Sequence, residues 1–322
     1  MNHSNPESFA PLPRVGISAC LMGSEVRFDG GHKRDHYCTD VLGEALELLP
    51  VCPEAEAGLG TPRPPIHIQR TEHALRLVQV RAPSIDVTDA VTAVADRRAK
   101  DLGDLSGFIL KRKSPSCGME RVPIYVKDGQ PRDYSGMGVF ARRFAALCPL
   151  VPLEEEGRLN DPMLRENFLE RVYALHRWQL LDPRDASGFI SFHATHKLML
   201  MARGSSYYTR LGRMVAGVTR RDLTQRRERY IHEFMPILRK VASRKRHVNA
   251  LQHAFGYLKR DLDSEDKREM LKLFEDYRRR HVPLATPLAL LRHHLRKHPN
   301  DYLSSQHYLQ PYPESLALRA NI

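Results

Sequence analysis

The sequence changes character near residue 160, and this change limits the possible folds more than any other feature. Before it, short apolar runs alternate with stretches of helical spacing, whereas after it the spacing is helical almost throughout. Alternating strands and helices indicate a layered α/β sheet rich in parallel pairs, and continuous helical spacing indicates an all-α domain. The 322 residues are enough for two domains. We therefore predict an α/β N-terminal domain followed by an all-α C-terminal domain.

The predicted boundaries follow from the same change. We predict a flexible tail over residues 1–13, the α/β domain over 14–158 and the helical domain over 159–322, with Glu154-Glu155-Glu156-Gly157 as the linker. The N-terminal pattern predicts strands at 14–19, 75–80, 106–110, 123–126 and 150–153, helices at 39–49, 86–102 and 137–147, and a turn at Lys127-Asp128-Gly129. The C-terminal pattern predicts helices at 161–181, 186–203, 205–217, 221–244, 247–262, 264–280 and 286–298.

Charge and cysteine are divided in the same way. Residues 1–160 carry 20 Lys and Arg against 21 Asp and Glu, a net charge of −1, whereas 161–322 carry 30 against 17, a net charge of +13. All five cysteines lie in the first part, at positions 20, 38, 52, 117 and 148. A strongly basic half attracts polyanions, of which nucleic acid is the commonest, although a basic surface that only keeps the protein soluble has the same composition.

The sequence also excludes several classes of protein. No apolar run approaches the roughly 18 residues that a membrane span needs. The first 13 residues have neither a basic start nor an apolar core, so we expect no signal peptide, no membrane association and a cytoplasmic protein. In that compartment five cysteines are metal ligands, reactive thiols or buried residues rather than a disulfide framework. Nothing in the pattern indicates an obligate protein partner.

Three of the cysteines share one predicted context. Cys20 and Cys52 each follow an apolar run directly, and Cys117 lies in a Ser-Pro-Ser-Cys-Gly loop after another. Strand ends of an open α/β sheet meet at one crevice, so the three thiols are predicted to converge. Three thiolates are too few for a closed zinc site but suit a [4Fe-4S] cluster with one open iron, which acts as a Lewis acid toward sulfur. Three buried structural cysteines fit the same spacing.

The remaining cysteine and histidine signals are weaker. Cys38 and Cys148 lack these flanking sequences. We interpret Cys148 as a packing residue, and for Cys38 we prefer a surface or packing role over that of a fourth thiol near Cys20. His193 and His196 form a His-x-x-His pair, but no carboxylate partner accompanies it. Contact with RNA or packing is therefore the preferred interpretation of this pair over zinc binding.

The N-terminal motifs resemble the TudS-like thiouracil desulfidase family over residues 14–152. The matching segments are SACLMG at 18–23, VRFDG at 26–30, VCPE at 51–54, GLGTPR at 58–63 and LKRKSPSCG at 110–118. The resemblance implies a [4Fe-4S] cluster held by Cys20, Cys52 and Cys117, whose fourth iron takes the sulfur of the substrate. It also implies that Glu54 is the catalytic carboxylate and Ser114 the catalytic hydroxyl.

The C-terminal motifs resemble the YbgA-type helical domain over roughly residues 160–318. They are FHATHKLMLMA at 192–202, YTRLG at 208–212, NALQHAFGYLK at 249–259 and QPYP at 310–313. Fusions of these two domains are known as desulfidases of 4-thiouridine in tRNA, with RNA binding attributed to the helical part. The resemblance thus implies a tRNA substrate that carries a thiolated pyrimidine nucleotide.

The expected reaction is hydrolytic, with sulfide as the leaving group. Glu54 is expected to accept the proton of the attacking water, and Ser114 to orient the water or the pyrimidine, although an acidic helix-start residue and a turn serine would look the same. The alternatives are a desulfidase of free 2- or 4-thiouracil and a non-catalytic iron–sulfur protein that binds nucleic acid. A catalytic carboxylate at Glu54 distinguishes the enzymes from the last alternative.

Two basic segments are candidate RNA contacts. Lys111 and Lys113 flank the Cys117 loop and are expected to reach a phosphate, although adjacent cations are often only solvated. Residues 220–246 contain ten Lys and Arg but only three Asp and Glu. There Arg220, Arg221 and Arg227 are the predicted RNA-binding residues, with Arg220, Arg227 and Lys240 forming a ridge at near-heptad spacing on one helix.

Overall fold

The computed structural model describes residues 11–126 and 131–316, and of residues 131 and 132 it describes the backbone. The predicted turn at Lys127-Asp128-Gly129 and the first ten residues of the predicted tail lie outside this range. The chain divides into two compact units, which we call the N-terminal unit (Met1–Asn160) and the C-terminal unit (Asp161–Ile322).

Four parallel strands form the first sheet of the N-terminal unit. In spatial order they are β2 (Glu47–Val51), β1 (Arg14–Ser18), β5 (Gly107–Leu110) and β8 (Leu153–Glu155). Its register pairs Ile17 with Pro50 on one side and with Ile109 on the other. All neighbouring pairs are parallel, as the α/β prediction requires, because each connection crosses over the sheet.

A second sheet of mixed direction completes the N-terminal unit. Its spatial order is β4 (Leu75–Gln79), β3 (Ile66–Arg70), β6 (Val122–Tyr125) and β7 (Pro131–Gly136). The β3/β6 pair is parallel and the other two pairs are antiparallel. The strands β3 and β7 had no clear apolar signal in the sequence and were not predicted, because only part of each faces the core.

The core of the N-terminal unit lies where helices cover the strands. The helices are the four-residue α1 (Pro53–Glu56), α2 (Thr88–Asp101) and α3 (Val139–Leu147). Phe108 of β5 packs edge-on against Phe140 and Phe144, with ring centroids 5.7 and 5.2 Å apart. A Cβ atom at Gly16 would lie 2.6 Å from the Phe108 ring, so this close approach of β1 requires glycine.

Two predictions for the N-terminal unit are wrong. The helix predicted over 39–49 is instead a pair of short helical turns followed by β2, because pairing with β1 outweighs a helical spacing that contains Gly43 and is followed directly by Pro50. The predicted linker Glu154-Glu155-Glu156-Gly157 is not a linker. Its three glutamates are buried, and Glu154 and Glu155 belong to β8.

The C-terminal unit is helical throughout its described part, which confirms the predicted fold class. Asp161 caps its first helix by accepting hydrogen bonds from the amides of Met163 and Leu164. No described helix combines the length and the apolar composition needed to cross a membrane. The helices are α4 (Pro162–Gln179), α5 (Ala186–Thr195), α6 (Lys197–Met201), α7 (Ser205–Val215), α8 (Leu223–Leu238), α9 (Arg244–Leu258), α10 (Ser264–Arg278), α11 (Ala285–Lys297) and α12 (Asp301–Ser304).

Candidate active site

Three cysteines lie beyond the carboxyl ends of three neighbouring parallel strands. Cys20 lies two residues after β1, Cys52 directly follows β2, and Cys117 is in the loop after β5. Because β1 lies between β2 and β5, these ends share one edge of the sheet. The strand order thus brings together thiols that are almost 100 residues apart in sequence.

The three thiols line one cavity of about 410 Å³. Cys20 and Cys52 are partly exposed, whereas Cys117 is only 6% exposed. The other predicted site residues of the N-terminal unit lie on the same wall, namely Glu54, Lys111, Ser114 and Lys113. The structure therefore assembles, in one pocket, groups that the sequence offered in three separate motifs.

The site holds the thiols in surroundings that oppose their ionisation. Burial, and after it the neighbouring Cys52, raises the pKa of Cys20 to about 11. Burial also raises the pKa of Cys117 well above the ordinary value of a thiol, and Glu54 adds to this shift. Three thiolates in one cavity are unfavourable beside one another unless a cation binds them, and metal coordination deprotonates thiols outright.

The donor set is one that iron–sulfur clusters use. Thiolate sulfur is the usual ligand of such clusters, and the cavity supplies three thiols. Within the described residues, no three His, Cys, Asp or Glu side chains are grouped closely enough to hold one metal ion. The fit of Cys20, Cys52 and Cys117 to a cluster rests on the chemistry of their thiol groups.

Glu54 is held in place by a buried arginine that sequence reasoning missed. Arg63 donates hydrogen bonds from Nε and Nη2 to Glu54 Oε2, at 2.9 and 2.7 Å. Its side chain is 3% exposed and also donates to the carbonyl oxygens of Gly60 and Val26, each at 2.8 Å. Arg63 thereby fixes the carboxylate and ties together the loops on both sides of Cys52. Oε1 of Glu54 accepts no hydrogen bond from the described residues.

Ser114 shapes the loop that carries the third thiol. Its Oγ accepts hydrogen bonds from the amides of Ser116 (3.2 Å) and Cys117 (3.0 Å). A hydroxyl that accepts two amides keeps its own hydrogen, so Ser114 remains able to donate one hydrogen bond into the cavity that it lines. The geometry thus allows both a structural and a substrate-orienting role.

Ser18 is a second residue that the sequence reasoning missed. This buried serine accepts a hydrogen bond from the Lys111 amide at 3.0 Å. It also hydrogen-bonds the Cys117 thiol, and this contact lowers the pKa of Cys117 against the effect of burial. Ser18 stands in the SACLMG segment, so a functional signal was present, but its orientation toward a thiol in another motif was not visible in the sequence.

The buried glutamates at the end of β8 fix both ends of the Cys117 loop. Glu155 Oε1 accepts hydrogen bonds from the amides of Met119 (2.8 Å) and Glu120 (3.4 Å). Glu156 Oε2 accepts one from the Arg112 amide at 2.8 Å, and its Oε1 pairs with the Lys111 ammonium. The segment predicted to be a linker is therefore part of the support of the thiol site.

The rim of the cavity is basic and carries one exposed aromatic ring. Arg112 and Lys113 are exposed, whereas Lys111 is partly buried against Glu156. Phe28 is 42% exposed, and the guanidinium carbon of Arg27 lies 5.5 Å from the centre of its ring. Cations beside an aromatic face suit a nucleotide, because the base stacks and the phosphate is attracted.

The predicted packing residues lie away from the cavity lining. Cys38 is fully buried, and burial raises its pKa. Cys148 packs against the core of the N-terminal unit, and burial raises its pKa as well. In the C-terminal unit His193 and His196 are buried among aromatic rings. Nδ1 of His193 lies 3.1 Å from the Tyr230 hydroxyl, and Nδ1 of His196 lies 2.7 Å from the Phe192 carbonyl oxygen.

The basic ridge predicted on one helix does not exist. Arg220 precedes α8 and Lys240 follows it, because the helix is shorter at both ends than the predicted 221–244. Arg227 is 7% exposed, and its guanidinium carbon lies 4.6 Å from the centre of the Trp178 ring. Burial lowers the pKa of Arg227, so packing on the tryptophan rather than a free charge describes this side chain. Arg220 and Arg221 are exposed in the connection between α7 and α8.

A cavity with three thiols and a fixed carboxylate, at the strand ends of a parallel sheet, defines the N-terminal unit as a candidate enzyme with a thiol-lined site. Comparison with known proteins agrees with this class. Residues 15–156 match the family model described as 2-thiouracil desulfurase. Uncharacterized protein YbbK of Bacillus subtilis (strain 168) is 34% identical over 152 residues, which are 45% of this chain and 97% of YbbK. Through its N-terminal unit the chain belongs to the 2-thiouracil desulfurase family.

The C-terminal unit has relatives of its own. Residues 197–313 match a family model described as a protein of unknown function, DUF1722. Uncharacterized protein YbgA of Escherichia coli (strain K12) is 28% identical over 164 residues, which are 50% of this chain and 97% of YbgA.

A solved structure of a [4Fe-4S]-dependent thiouracil desulfidase, TudS, is 28% identical to this chain in the matched part. The match covers 46% of this chain and 94% of the TudS chain, with a TM-score of 0.35. The predicted fusion of a desulfidase-type unit with a YbgA-type unit is confirmed.

Proposed function

We propose that the protein is a [4Fe-4S]-dependent desulfidase that converts 4-thiouridine in tRNA to uridine. The observation that carries the proposal is the convergence of Cys20, Cys52 and Cys117 on one cavity beside the fixed carboxylate of Glu54. Membership of the 2-thiouracil desulfurase family supports the same reaction class. In this reaction water replaces sulfur at the pyrimidine carbon, a C–O bond forms, the C–S bond breaks and hydrogen sulfide leaves, so no net electron transfer is needed.

The protein groups around the cavity can divide the work of this reaction. When bound, a cluster with three Cys ligands supplies an open iron that acts as a Lewis acid toward the sulfur of the substrate. Glu54 accepts the proton of the attacking water at Oε1, while Arg63 holds Oε2 and prevents the carboxylate from turning away. Ser114 donates a hydrogen bond that orients the water or the pyrimidine.

The basic charge supports a polymeric substrate. The C-terminal unit carries a net charge of +13, and Arg112 and Lys113 stand exposed at the rim of the cavity. We propose Lys113, Arg220 and Arg221 as phosphate contacts and Lys111 as a support of the loop, because Glu156 already neutralises it. Arg227 is left out of the RNA-binding set, since it is covered by its own unit.

The test is a reaction with two substrates under anaerobic conditions. Reconstituted protein is incubated with tRNA that contains 4-thiouridine and, separately, with free 4-thiouracil, and the nucleosides and bases are identified by mass. We expect uridine in the tRNA and sulfide to form in equal amounts. The kcat/KM for the tRNA should be well above that for free 4-thiouracil. A cavity of about 410 Å³ also has room for a free thiopyrimidine. Faster desulfuration of the free base would make desulfuration of free thiopyrimidines the function. If neither substrate is desulfurated, both candidate functions are overturned.

A further inference from the structure

A second concave surface lies in the C-terminal unit, between α7 and α8. It is a groove of about 400 Å³, lined by Arg210, Arg213, Met214, Arg226, Arg229 and Glu233. Four of these six residues are arginines and one is acidic. None of these residues is among the individual RNA-binding residues predicted from the sequence, although Arg226, Arg229 and Glu233 lie in the basic segment 220–246.

Helical spacing explains how these side chains come to face one groove. In α7, Arg210, Arg213 and Met214 lie three and four residues apart, so they share a face. In α8, Arg226, Arg229 and Glu233 follow the same rule over two turns. The core-facing positions of α7, Leu211 and Val215, are buried. The groove is thus formed by the solvent-facing sides of two helices packed side by side.

The charge of the groove is not balanced within it. Glu233 forms ion pairs with both Arg210 (3.2 Å) and Arg229 (3.5 Å), so a single carboxylate serves two guanidinium groups. Arg213 is exposed and has no ion-pair partner among the described residues. A dianionic or polyanionic ligand would therefore find the guanidinium of Arg213 without an ion pair, beside Arg210 and Arg229, which share one carboxylate.

The side chain of Arg226 is held in place by hydrogen bonds. Its Nε donates to Asp222 at 2.5 Å, and its Nη1 donates to the carbonyl oxygens of Met214 and Ala216 at 3.3 and 3.0 Å. These contacts join the end of α7, the connection and the start of α8. The remaining arginines are thereby carried on a braced pair of helices, and a ligand need not order the backbone when it binds.

We propose that this groove binds the phosphodiester backbone of RNA. Guanidinium groups match phosphate oxygens in a bidentate manner, and Arg220 and Arg221 continue the positive surface along the connection of the same two helices. A protein partner fits less well, because Met214 is the one apolar residue among the described residues of the lining and stable protein interfaces have an apolar core. The inference rests on the proposed RNA substrate and adds the surface that holds it.

The test measures binding of an unmodified tRNA transcript to the full chain, since this ligand needs no desulfuration. In the double variant Arg213→Gln, Arg229→Gln we expect the dissociation constant at low salt to rise by about 10-fold and the log–log salt slope to fall by about 1.4 to 1.8. The matched control, Arg260→Gln with Arg268→Gln, removes the same charge from exposed positions elsewhere on the unit and should change binding by less than ~3-fold.

A variant of opposite sign guards against damage to the fold. Glu233→Gln releases Arg210 and Arg229 from their ion pairs, so tRNA should bind several-fold more tightly. Equal effects of the groove variant and the control would overturn the groove and leave only a general basic surface. Unchanged tRNA binding with lost binding of polyglutamate would assign the groove to an acidic protein instead.

The failure of the proposed function gives a different result. A wild-type chain that binds no tRNA at low salt would overturn both the RNA substrate and the groove. A wild-type chain that binds and desulfurates tRNA, with groove variants that do so equally well, would overturn the groove alone. Desulfuration of free 4-thiouracil by the groove variants should equal that of the wild type, because the cysteine cavity belongs to the other unit.

Discussion

The two units use ionisable residues in different ways. The N-terminal unit has almost no net charge, and its carboxylates hold the loops around the thiols, through Glu54 and through the buried Glu155 and Glu156. The C-terminal unit has a large positive charge, which it carries mainly on exposed arginine and lysine, and it buries several histidines together with Glu166 and Glu170. Buried carboxylates fix the position of a small reactive site, whereas exposed cations provide attraction over a wide surface. The comparison predicts that substitutions in the two units will be detected in different assays.

The largest expected effect is the loss of the cluster from the N-terminal unit. Anaerobically prepared wild-type protein should be brown, absorb broadly near ~400 nm and contain about four irons per chain. Replacement of Cys20, Cys52 or Cys117 by Ala removes one of the three proposed ligands and should abolish colour, bound iron and desulfuration. Cys148→Ala is the control and should keep all three, because Cys148 is not part of the cavity lining. Full iron content in Cys117→Ala would contradict the assignment of the ligands.

The next effect in size concerns the carboxylate beside the thiols. Glu54→Gln keeps the acceptor for Arg63 but removes the basic oxygen, so turnover should fall by roughly 10²-fold with normal iron content. The measurement is single-turnover desulfuration together with the cluster absorption. Glu25→Gln, at an exposed position of the neighbouring loop, should leave turnover unchanged. Normal turnover of Glu54→Gln would show that the carboxylate only supports the fold.

The stability of the C-terminal unit should depend on pH because of its buried histidines. Burial lowers the pKa of His193 to about 4 and that of His307 to about 3, and it lowers the pKa of His196 as well. The unfolded chain therefore binds more protons than the folded chain below the unfolded pKa of about 6.5. Stability is complete above this value and is lost as the pH falls from about 6.5 toward 4, by up to ~1.4 kcal/mol per pH unit for each histidine.

The single tryptophan of the chain makes this pH effect measurable in one unit. Trp178 packs on Tyr230 in the C-terminal unit, with ring centroids 5.7 Å apart, so its fluorescence reports unfolding there. Denaturant unfolding followed by this signal should shift to lower denaturant between pH 7 and pH 5. His193→Gln should reduce the dependence of the unfolding midpoint on pH, since one of the groups that are protonated on unfolding is gone. A midpoint that does not change with pH would contradict the depressed pKa values.

A smaller effect is expected from the glutamate that supports the thiol loop. Glu156→Gln removes the ion pair with Lys111 and weakens the hydrogen bond from the Arg112 amide, at a cost of about 1–3 kcal/mol in the free energy of unfolding. The variant should lose its iron to a chelator faster than the wild type, while tRNA binding should not change. Glu44→Gln, at an exposed position of the same unit, is the control. Unchanged iron retention would remove Glu156 from the support of the site.

The smallest effect separates buried from exposed arginine in the C-terminal unit. Arg227→Met removes the cation above Trp178 and should cost about 1–2 kcal/mol of stability without changing the salt slope of tRNA binding. The pair Arg220→Gln and Arg221→Gln should behave in the reverse manner, with normal stability and a salt slope lowered by about 1 to 2. A reduced salt slope in Arg227→Met would return this arginine to the RNA-binding set.

The sequence predicted the fold class because both periodicities persist over long segments. Most helices of the C-terminal unit lie within a few residues of the predicted ranges, since a helix is stabilised by contacts close in sequence. The strand β2 and the buried glutamates at 154–156 were misread for the opposite reason. Their surroundings come from β1, β5 and the Cys117 loop, which are distant in sequence, and local spacing contains no record of them.

The candidate site divides in the same way between sequence and structure. The residue types and flanking motifs of Cys20, Cys52 and Cys117 were sufficient to predict that the three thiols share one cavity, because strands in a parallel sheet end at one edge. Their role as cluster ligands stays a prediction. Only the tertiary structure showed that Arg63 fixes Glu54, that Ser18 reaches the Cys117 thiol and that four arginines of two helices share a groove. A sequence determines which groups are present and the local shape of the chain. Which groups meet across elements, and whether a charge such as that of Arg227 is exposed or covered, depends on packing between residues far apart in the chain.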